Sequence, residues 1–486
     1  MTDHTLEAGK EVAENSSNDG GSESLPPTGA SDRAAFLATF SRAEDKAIMK
    51  KVDRRFLLLI GMLYMTKNID NQNAANVKVL QVGQQSNILR SLSMSADQYN
   101  WVQSVYFTAY IIFEVPSNLL LKKFTPRLRQ SRICLSWGIV LTCHAAVQNK
   151  ESLYTVRFLL GMMEASVFPG LAAQLTSWYR SDEMGKPIMC MFGWQNLSGV
   201  VGSLLAYGIS YMNGLCGLEA WRWVYLLEGI YTILLAGVIY LVLPDYPKSP
   251  RSSKWLTERE QDYLEARLSE NAPRTDEAAF SKHEVYTSLK DPRTYSFMIN
   301  QILVNLAGYG LQWYFPTITT NLGFAGLPRN QLLDIGPAGW LLKQAFLTRP
   351  AFTRPINVTM VISFILFFTA WRSSTLAWAT GTAFTLAFQS SIGQIGGVIG
   401  PQLFQSKFAH NGYKTPFAIC AAATIVGWAA SLVTWWLTRN VEWDVRRIRR
   451  LRIKAEKEGK VCGEDDVRFY QERDFYHGLR KDEAKA

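Results

Sequence analysis

The chain has 486 residues, 48% of them hydrophobic, and a net charge of +10. That length would suit several soluble domains, but the apolar residues gather into long runs that a set of soluble domains would not need to bury. Overall hydropathy is near zero only because three polar segments dilute those runs. The basic excess follows the loops between runs instead of forming one patch, which argues against nucleic acid as a partner.

Residues 1–50 are rich in Ser, Glu, Asp and Gly, with no apolar run before Phe56. They read as a disordered cytosolic tail with no secretory signal. A bilayer core calls for about 20 mostly apolar residues per helix. Runs of that kind occupy 55–75, 99–121, 133–147, 153–178, 188–212 and 221–243. After a polar gap they resume at 295–318, 356–371, 376–399 and 416–437. The pattern predicts an all-α polytopic membrane protein of about ten transmembrane helices. A six-helix bundle spans 51–243, and a cytosolic linker with an amphipathic helix around 254–268 spans 244–293. A shortened second bundle spans 294–438, and a basic cytosolic tail spans 439–486.

Lys and Arg mark alternate loops. Lys50, Lys51, Arg54 and Arg55 precede the first run; Lys122, Lys123, Arg127, Arg129 and Arg132 follow the second; Arg180 and Lys186 follow the fourth. The loop at 213–220 has no basic residue. Both termini are therefore expected in the cytosol, with the Arg-rich tail against anionic headgroups. Six spans, a polar connection and further spans match the plan of a carrier built from two similar halves.

Ionisable groups inside apolar runs are costly and point to function. Arg157 and Glu164 lie seven apart on the fourth run with Gly161 between them, all on one helical face. The guanidinium suits a carboxylate held through two parallel hydrogen bonds. Glu164, in low dielectric, is the candidate proton carrier. Asp70, late in the first run, is its candidate partner, with an interfacial capping role as the alternative. Glu114 precedes Pro116 in the second run, Glu228 follows the Trp221–Arg222–Trp223 triplet, and His144 is alone on an apolar face; structural roles compete at all three. On the seventh run Asn300, Gln301, Asn305, Tyr309, Gln312 and Trp313 repeat at helical spacing, and Gln389 and Gln394 are placed to face them. Amides and aromatics of this kind bind a small planar acid or hydrogen-bond neighbouring helices. The glycines at 393, 396, 397 and 400 read as close helix packing, since a dinucleotide fingerprint needs a preceding strand. Six scattered cysteines and five histidines give no metal-ligand spacing, and no nucleophile–base pair lies at depth, so neither metal, cofactor nor enzyme chemistry is expected.

Four tracts carry a family resemblance: 98–123 (QYNWVQSVYFTAYIIFEVPSNLLLKK), 157–170 (RFLLGMMEASVFPG), 221–229 (WRWVYLLEG) and 393–404 (GQIGGVIGPQLF). Together they resemble the major facilitator superfamily and, within it, the fungal allantoate-permease-like branch of the anion:cation symporters. The resemblance covers 51–331 and resumes over 374–440. It implies a monomeric two-bundle carrier in the plasma membrane, taking up a small organic anion with protons, such as an allantoate-, nicotinate- or pantothenate-like carboxylate. It assigns substrate binding to Arg157, and we add Asn305, Tyr309, Trp313 and Gln389. Glu164 and Asp70 become the proton-coupling pair, and Glu114, Asn118 and Lys122 the cytosolic gate. Two departures stand out. The family's acidic–basic pair in the first helix is Asp70–Asn71 here, without the second cation. Asn118 and Lys122 stand where the superfamily's loop motif has Gly and Asp. In addition, 334–355 matches nothing in the family, so about two helices of the second half are missing, and a transport-inactive relative or a nutrient sensor is the competing reading.

Overall fold

The computed structural model describes residues 30–120, 125–180, 183–268, 286, 289–319 and 379–457. Among the described residues every regular element is helical. Helix α1 (Ala30–Ala38) leads into α2 (Arg42–Val79), which opens on a capping box: the Ser41 hydroxyl accepts the Glu44 N–H at 3.3 Å, and the Glu44 carboxylate accepts the Ser41 N–H at 2.7 Å. That backbone N–H, then the Ser41 hydroxyl, holds the Glu44 carboxyl below its ordinary range. This end of the helix is therefore better capped above that range and loosens as pH falls through it. At 38 residues α2 is about 57 Å long, more than a bilayer needs.

The following helices are α3 (Ala96–Leu120), α4 (Pro126–Cys143), α5 (Lys150–Glu164), α6 (Val167–Leu175), α7 (Gly185–Ser210) and α8 (Ala220–Val242). The run 153–178 is thus two helices and not one. Pro169 has no N–H for the carbonyl of Ala165, and the backbone leaves the helical region at Ser166 (φ −97°, ψ 2°). The linker helix is α9 (Glu258–Ala266), shorter than the expected 254–268 because Thr257 caps it through a second capping box with Glu260. The second group holds α10 (Pro292–Thr319), α11 (Ala379–Gly393), α12 (Ile395–Leu403) and α13 (Lys414–Lys457). Here too one expected span, 376–399, is divided, at Gln394. The expectations for 334–355, for the short run 356–371, for Lys122 and for the tail beyond Lys457 lie outside the described residues.

In the first group α2 packs on α7, α3 on α5, and α4 on α8; in the second α10 packs on α11, α12 and α13. The groups meet where α3 lies on α11 and α12, α2 on α10, and α6 on α11. Among the described residues three helices are by length and composition able to cross a membrane alone: α7, α8 and the stretch Lys414–Arg439 of α13. Their outward faces expose Leu204, Leu234, Leu241, Val426 and Trp436, while Asp70, Glu114, Arg157 and Glu164 are buried. That inversion suits lipid outside and a polar pathway inside.

Helix α9 is fastened to the first group rather than spanning a gap. The Tyr263 hydroxyl donates to Asp45 at 2.5 Å, and Lys51 pairs with Glu260 at 2.6 Å. Arg267, wholly buried, pairs with Glu183 at 2.6 Å. Trp255 stacks on Trp178 with centroids 6.0 Å apart.

Close helix contact depends on glycine at the crossings. A Cβ on Gly161 would sit 2.2 Å from the Tyr106 carbonyl oxygen, and one on Gly396 would sit 2.4 Å from the Ile302 carbonyl oxygen. At Gly208 it would meet nothing within 4 Å. Gly161→Val is therefore expected to push α3 off α5 and cost about 1–3 kcal/mol or more, whereas Gly208→Val stays near wild type. Thermal unfolding of the two purified variants checks this, and equal melting temperatures would refute the close contact.

Candidate functional site

A cavity of about 660 Å³, counted to its open mouth, lies where the two helical groups meet. Helix α2 supplies Tyr64, Lys67 and Asn68, and α3 supplies Tyr110. Phe168 comes from α6, and Phe192 and Gln195 from α7. The second group adds Gln301, Val304, Asn305 and Tyr309 from α10, Ser390 from α11, and Gln394 at the α11–α12 junction. Aromatic rings and neutral amides dominate the wall, and Lys67 is its single cation among the described residues. No carboxylate is among these lining residues.

Lys67 is 7% exposed, and its ammonium lies 5.0 Å from the centroid of the Tyr110 ring. Among the described residues it has no hydrogen-bond or ion-pair partner. Two carboxylates stand behind it. Glu164 accepts the Tyr106 hydroxyl at 2.6 Å and lies within electrostatic reach of Lys67 and Arg157. Glu114 accepts the Ser391 hydroxyl at 2.8 Å, a contact between the two groups. In each carboxylate the Oε1 atom is buried without a hydrogen-bond partner.

Deeper in the first group lies a second polar cluster. Arg157, 1% exposed, donates from Nη2 to the Tyr225 hydroxyl at 2.7 Å, and its guanidinium carbon is 5.2 Å from the same ring. His144 packs its ring against that tyrosine at 4.9 Å. Asp70 accepts the Trp137 indole N–H at 2.6 Å, and Asn73 donates to Glu228. Asp70 interacts with Glu228, Glu164 and Arg157, so the four form one electrostatic unit.

The site residues expected from sequence thus divide. Asn305 and Tyr309 line the cavity; Arg157 lies behind its wall against Tyr225. Gln389 is not among the lining residues but donates to one that is, Gln301, at 3.0 Å. Trp313 donates to Asn100 at 2.9 Å and stacks on Tyr99 at 5.8 Å. Asp70 is 1% exposed, within the bundle and not at a capped end. Asn118 bonds back to the Glu114 carbonyl at 2.8 Å, one turn earlier on α3. The sequence reading passes over Lys67, although a lysine inside the first apolar run is the same kind of signal that marks Asp70 three residues on.

The bundle end that carries the α2–α3 and α12–α13 connections is closed by contacts between the groups. Besides the Trp313–Asn100 bond, the Ser104 hydroxyl donates to the Val398 carbonyl at 2.8 Å, and Gln402 donates to Ser104 at 2.9 Å. Asp97 accepts the N–H of Ser406 at 2.9 Å and its hydroxyl as well. Phe107 packs on Tyr309 at 4.6 Å, directly beside the cavity. Arranged this way, the molecule holds a polar chamber shut at one end, with buried carboxylates behind its lining.

Comparison with known proteins places these features in context. The sequence profile of the Major Facilitator Superfamily matches residues 73–385, more than half of the chain. The MFS-type transporter cnsO of Penicillium expansum is 30% identical over 293 residues, 59% of this chain and 55% of that protein. The chain thus spans little more than half the length of that relative. A longer match, to an uncharacterized transporter, C1683.12, of Schizosaccharomyces pombe, is 25% identical over 465 residues and covers 87% of this chain and 92% of the relative. The crystal structure of the human organic anion transporter MFSD10 (TETRAN) superposes with a TM-score of 0.50 at 12% identity. It covers 78% of this chain and 99% of that one, a likeness of fold.

The closed end offers a direct test. Asn100 accepts at Oδ1 from both Trp313 and Lys78, the latter at 3.1 Å. Asn100→Ala strands two buried donors and is expected to cost about 2 kcal/mol or more, whereas Asn100→Asp keeps the acceptor and loses less. The melting temperatures of the purified variants report the difference; equal losses would mean the acceptor oxygen does not hold this end.

Proposed function

We propose that this chain, which belongs to the major facilitator superfamily, is a proton-coupled carrier of a small organic anion. Family and fold make it an integral, multi-pass membrane transporter. Within the family we place it in the allantoate-permease-like branch of the anion:cation symporters, at the plasma membrane with both termini cytosolic. The cargo would be an allantoate-, nicotinate- or pantothenate-like carboxylate.

One observation carries the choice of an anion: the chamber between the helical groups presents a cation, amides and tyrosines, and among the described residues no carboxylate lines it. In a low-dielectric site that charge pattern favours a negative cargo and disfavours a positive one. Moving an anion inward against a negative interior costs about 2.3 kcal/mol per charge per 100 mV, which a co-transported proton offsets. Glu164 is the residue we assign to that proton, with Asp70 as its partner. It sits against the chamber wall, and its charge is felt by both Lys67 and Arg157. Arg157, bonded to Tyr225 and not among the chamber's lining residues, then acts on Glu164 and Asp70 within the first group.

In this cycle the contacts of Asp97, Asn100 and Ser104 with the second group form the outer gate, closed here. Glu114 with Ser391 belongs to the inner half of the same interface. Rocking the groups about the chamber exchanges the two closures.

Glu164→Gln fixes the protonated state. Cells or liposomes carrying this variant are expected to exchange labelled nicotinate, allantoate or pantothenate across the membrane without concentrating it under an imposed pH gradient. Accumulation equal to wild type would move coupling away from Glu164.

A further inference from the structure

The geometry points to Lys67 as the residue that grips the cargo's carboxylate, and to a flat, ring-bearing monocarboxylate as the cargo. The inference rests on the reading of the chamber as an anion site and narrows it to one anchor and one shape of ligand.

The first observation is that Lys67 is more than nine-tenths buried, lines the chamber, and has no hydrogen-bond or ion-pair partner among the described residues. An ammonium carries three donors and is strongly hydrated in water, so burying it without an acceptor is unfavourable. Its nearest compensation is the face of Tyr110, which attracts a cation but supplies no lone pair in line with its N–H bonds. The two carboxylates that feel Lys67 most, Glu164 and Glu114, make their hydrogen bonds to Tyr106 and Ser391, and although each keeps one unpartnered oxygen, neither reaches Lys67 in a hydrogen bond or ion pair. The position in front of Lys67 is therefore short of one negative group, and a cargo carboxylate entering the chamber supplies it.

The second observation concerns the body of the cargo. Around Lys67 the chamber is lined by Tyr64, Tyr110 and Phe168 from the first group and by Tyr309 from the second. Tyr64 and Phe168 already lie with centroids 5.9 Å apart, and Tyr309 is braced by Phe107. A lining rich in aromatic rings suits a planar ligand, which can stack on or pack edgewise against them. The amides of Asn68, Gln301 and Asn305 supply donors and acceptors at the edge of such a ring. With a single cation in the lining among the described residues, a second carboxylate would enter unpaired, which favours a monoanion. Tyr309 and Asn305 belong to the second group, Lys67 and Tyr110 to the first. A cargo that bridges them binds best when the groups are closed around it, so the same contacts that select the ligand draw the two groups together.

Binding to the purified full-length chain, read from tryptophan fluorescence or calorimetry, tests this with three small probes. Benzoate carries both features, benzamide keeps the ring without the charge, and cyclohexanecarboxylate keeps the charge without the flat ring. Wild type is expected to bind benzoate about ten- to a hundredfold more tightly than benzamide, the range of one charge-assisted hydrogen bond. It should also bind benzoate several-fold more tightly than cyclohexanecarboxylate. In Lys67→Gln the benzoate-to-benzamide preference should vanish, and in Lys67→Arg much of it should return. A preference that persists in Lys67→Gln removes Lys67 as the anchor while leaving the anion reading intact. Equal binding of benzoate and cyclohexanecarboxylate, or binding of none of the three, removes the flat-ring class. Benzamide bound as well as benzoate by wild type would overturn the anion reading itself. If Lys67→Gln does not fold, Lys67→Arg and the wild-type probe series still decide the matter.

Discussion

A charge carried into an apolar bundle must find a partner, an ordered polar group or water, and the interior of this protein is organised around that requirement. Arg157 is met by Tyr225, Asp70 by Trp137, Glu164 by Tyr106, and Glu228 by Asn73. Each is a neutral donor or acceptor rather than an opposite charge. The charges therefore remain available to respond to one another and to whatever enters the chamber, instead of being neutralised in fixed ion pairs. Fixed pairs are found at the end of the first group where α9 docks, where Arg267 meets Glu183 and Lys51 meets Glu260. The two regions use charge for opposite purposes: the docked linker helix locks, and the interior keeps its options open.

The polar interior also explains why so few helices pass for membrane spans by composition alone. Helix α2 carries Lys67, Asn68, Asp70 and Asn73 within two turns, all buried. Such a helix is tolerated in lipid only because its neighbours cover that face; α7 lies along it on one side and α10 on another. By contrast α8 and the first part of α13 show lipid a nearly continuous apolar surface. The apolar faces of these helices form the outer wall, while α8 also turns Tyr225 and Glu228 inward to the polar cluster.

Much of the fold was legible in the sequence. Hydropathy runs located the helices, because each span must satisfy its own backbone, and capping residues such as Thr257 set their ends more closely than hydropathy does. The division at Ser166 was within reach through Pro169, whose missing N–H breaks the ladder one turn back, but a run of apolar residues masks such a break. At the site, Arg157, Glu164 and Asp70 stood out as charges in apolar surroundings. Which of them faces the chamber did not, because that depends on the rotation of each helix against its neighbours. Gly161 shows the difficulty: its place between Arg157 and Glu164 marks a shared face, yet that face is pressed on the Tyr106 backbone and not on open space. Lys67 is as visible as Asp70, a charge inside the same apolar run, but nothing in the sequence tells which of the two faces the chamber.

Helix α13 has a consequence of its own. It continues without interruption from its lipid-spanning stretch, which ends at Arg439, to Lys457. That is about 27 Å of helix beyond the apolar part, carrying Arg446, Arg447, Arg449, Arg450 and Arg452. A continuous helix is stiff, and α13 is packed along α10, which contributes Asn305 and Tyr309 to the chamber wall. Any tilt of the second group is therefore converted into a sideways sweep of the arginine-bearing tip, largest at the point farthest from the pivot. The far end of α13 is thus a lever arm of the second group, moving farther than the chamber wall to which it is joined.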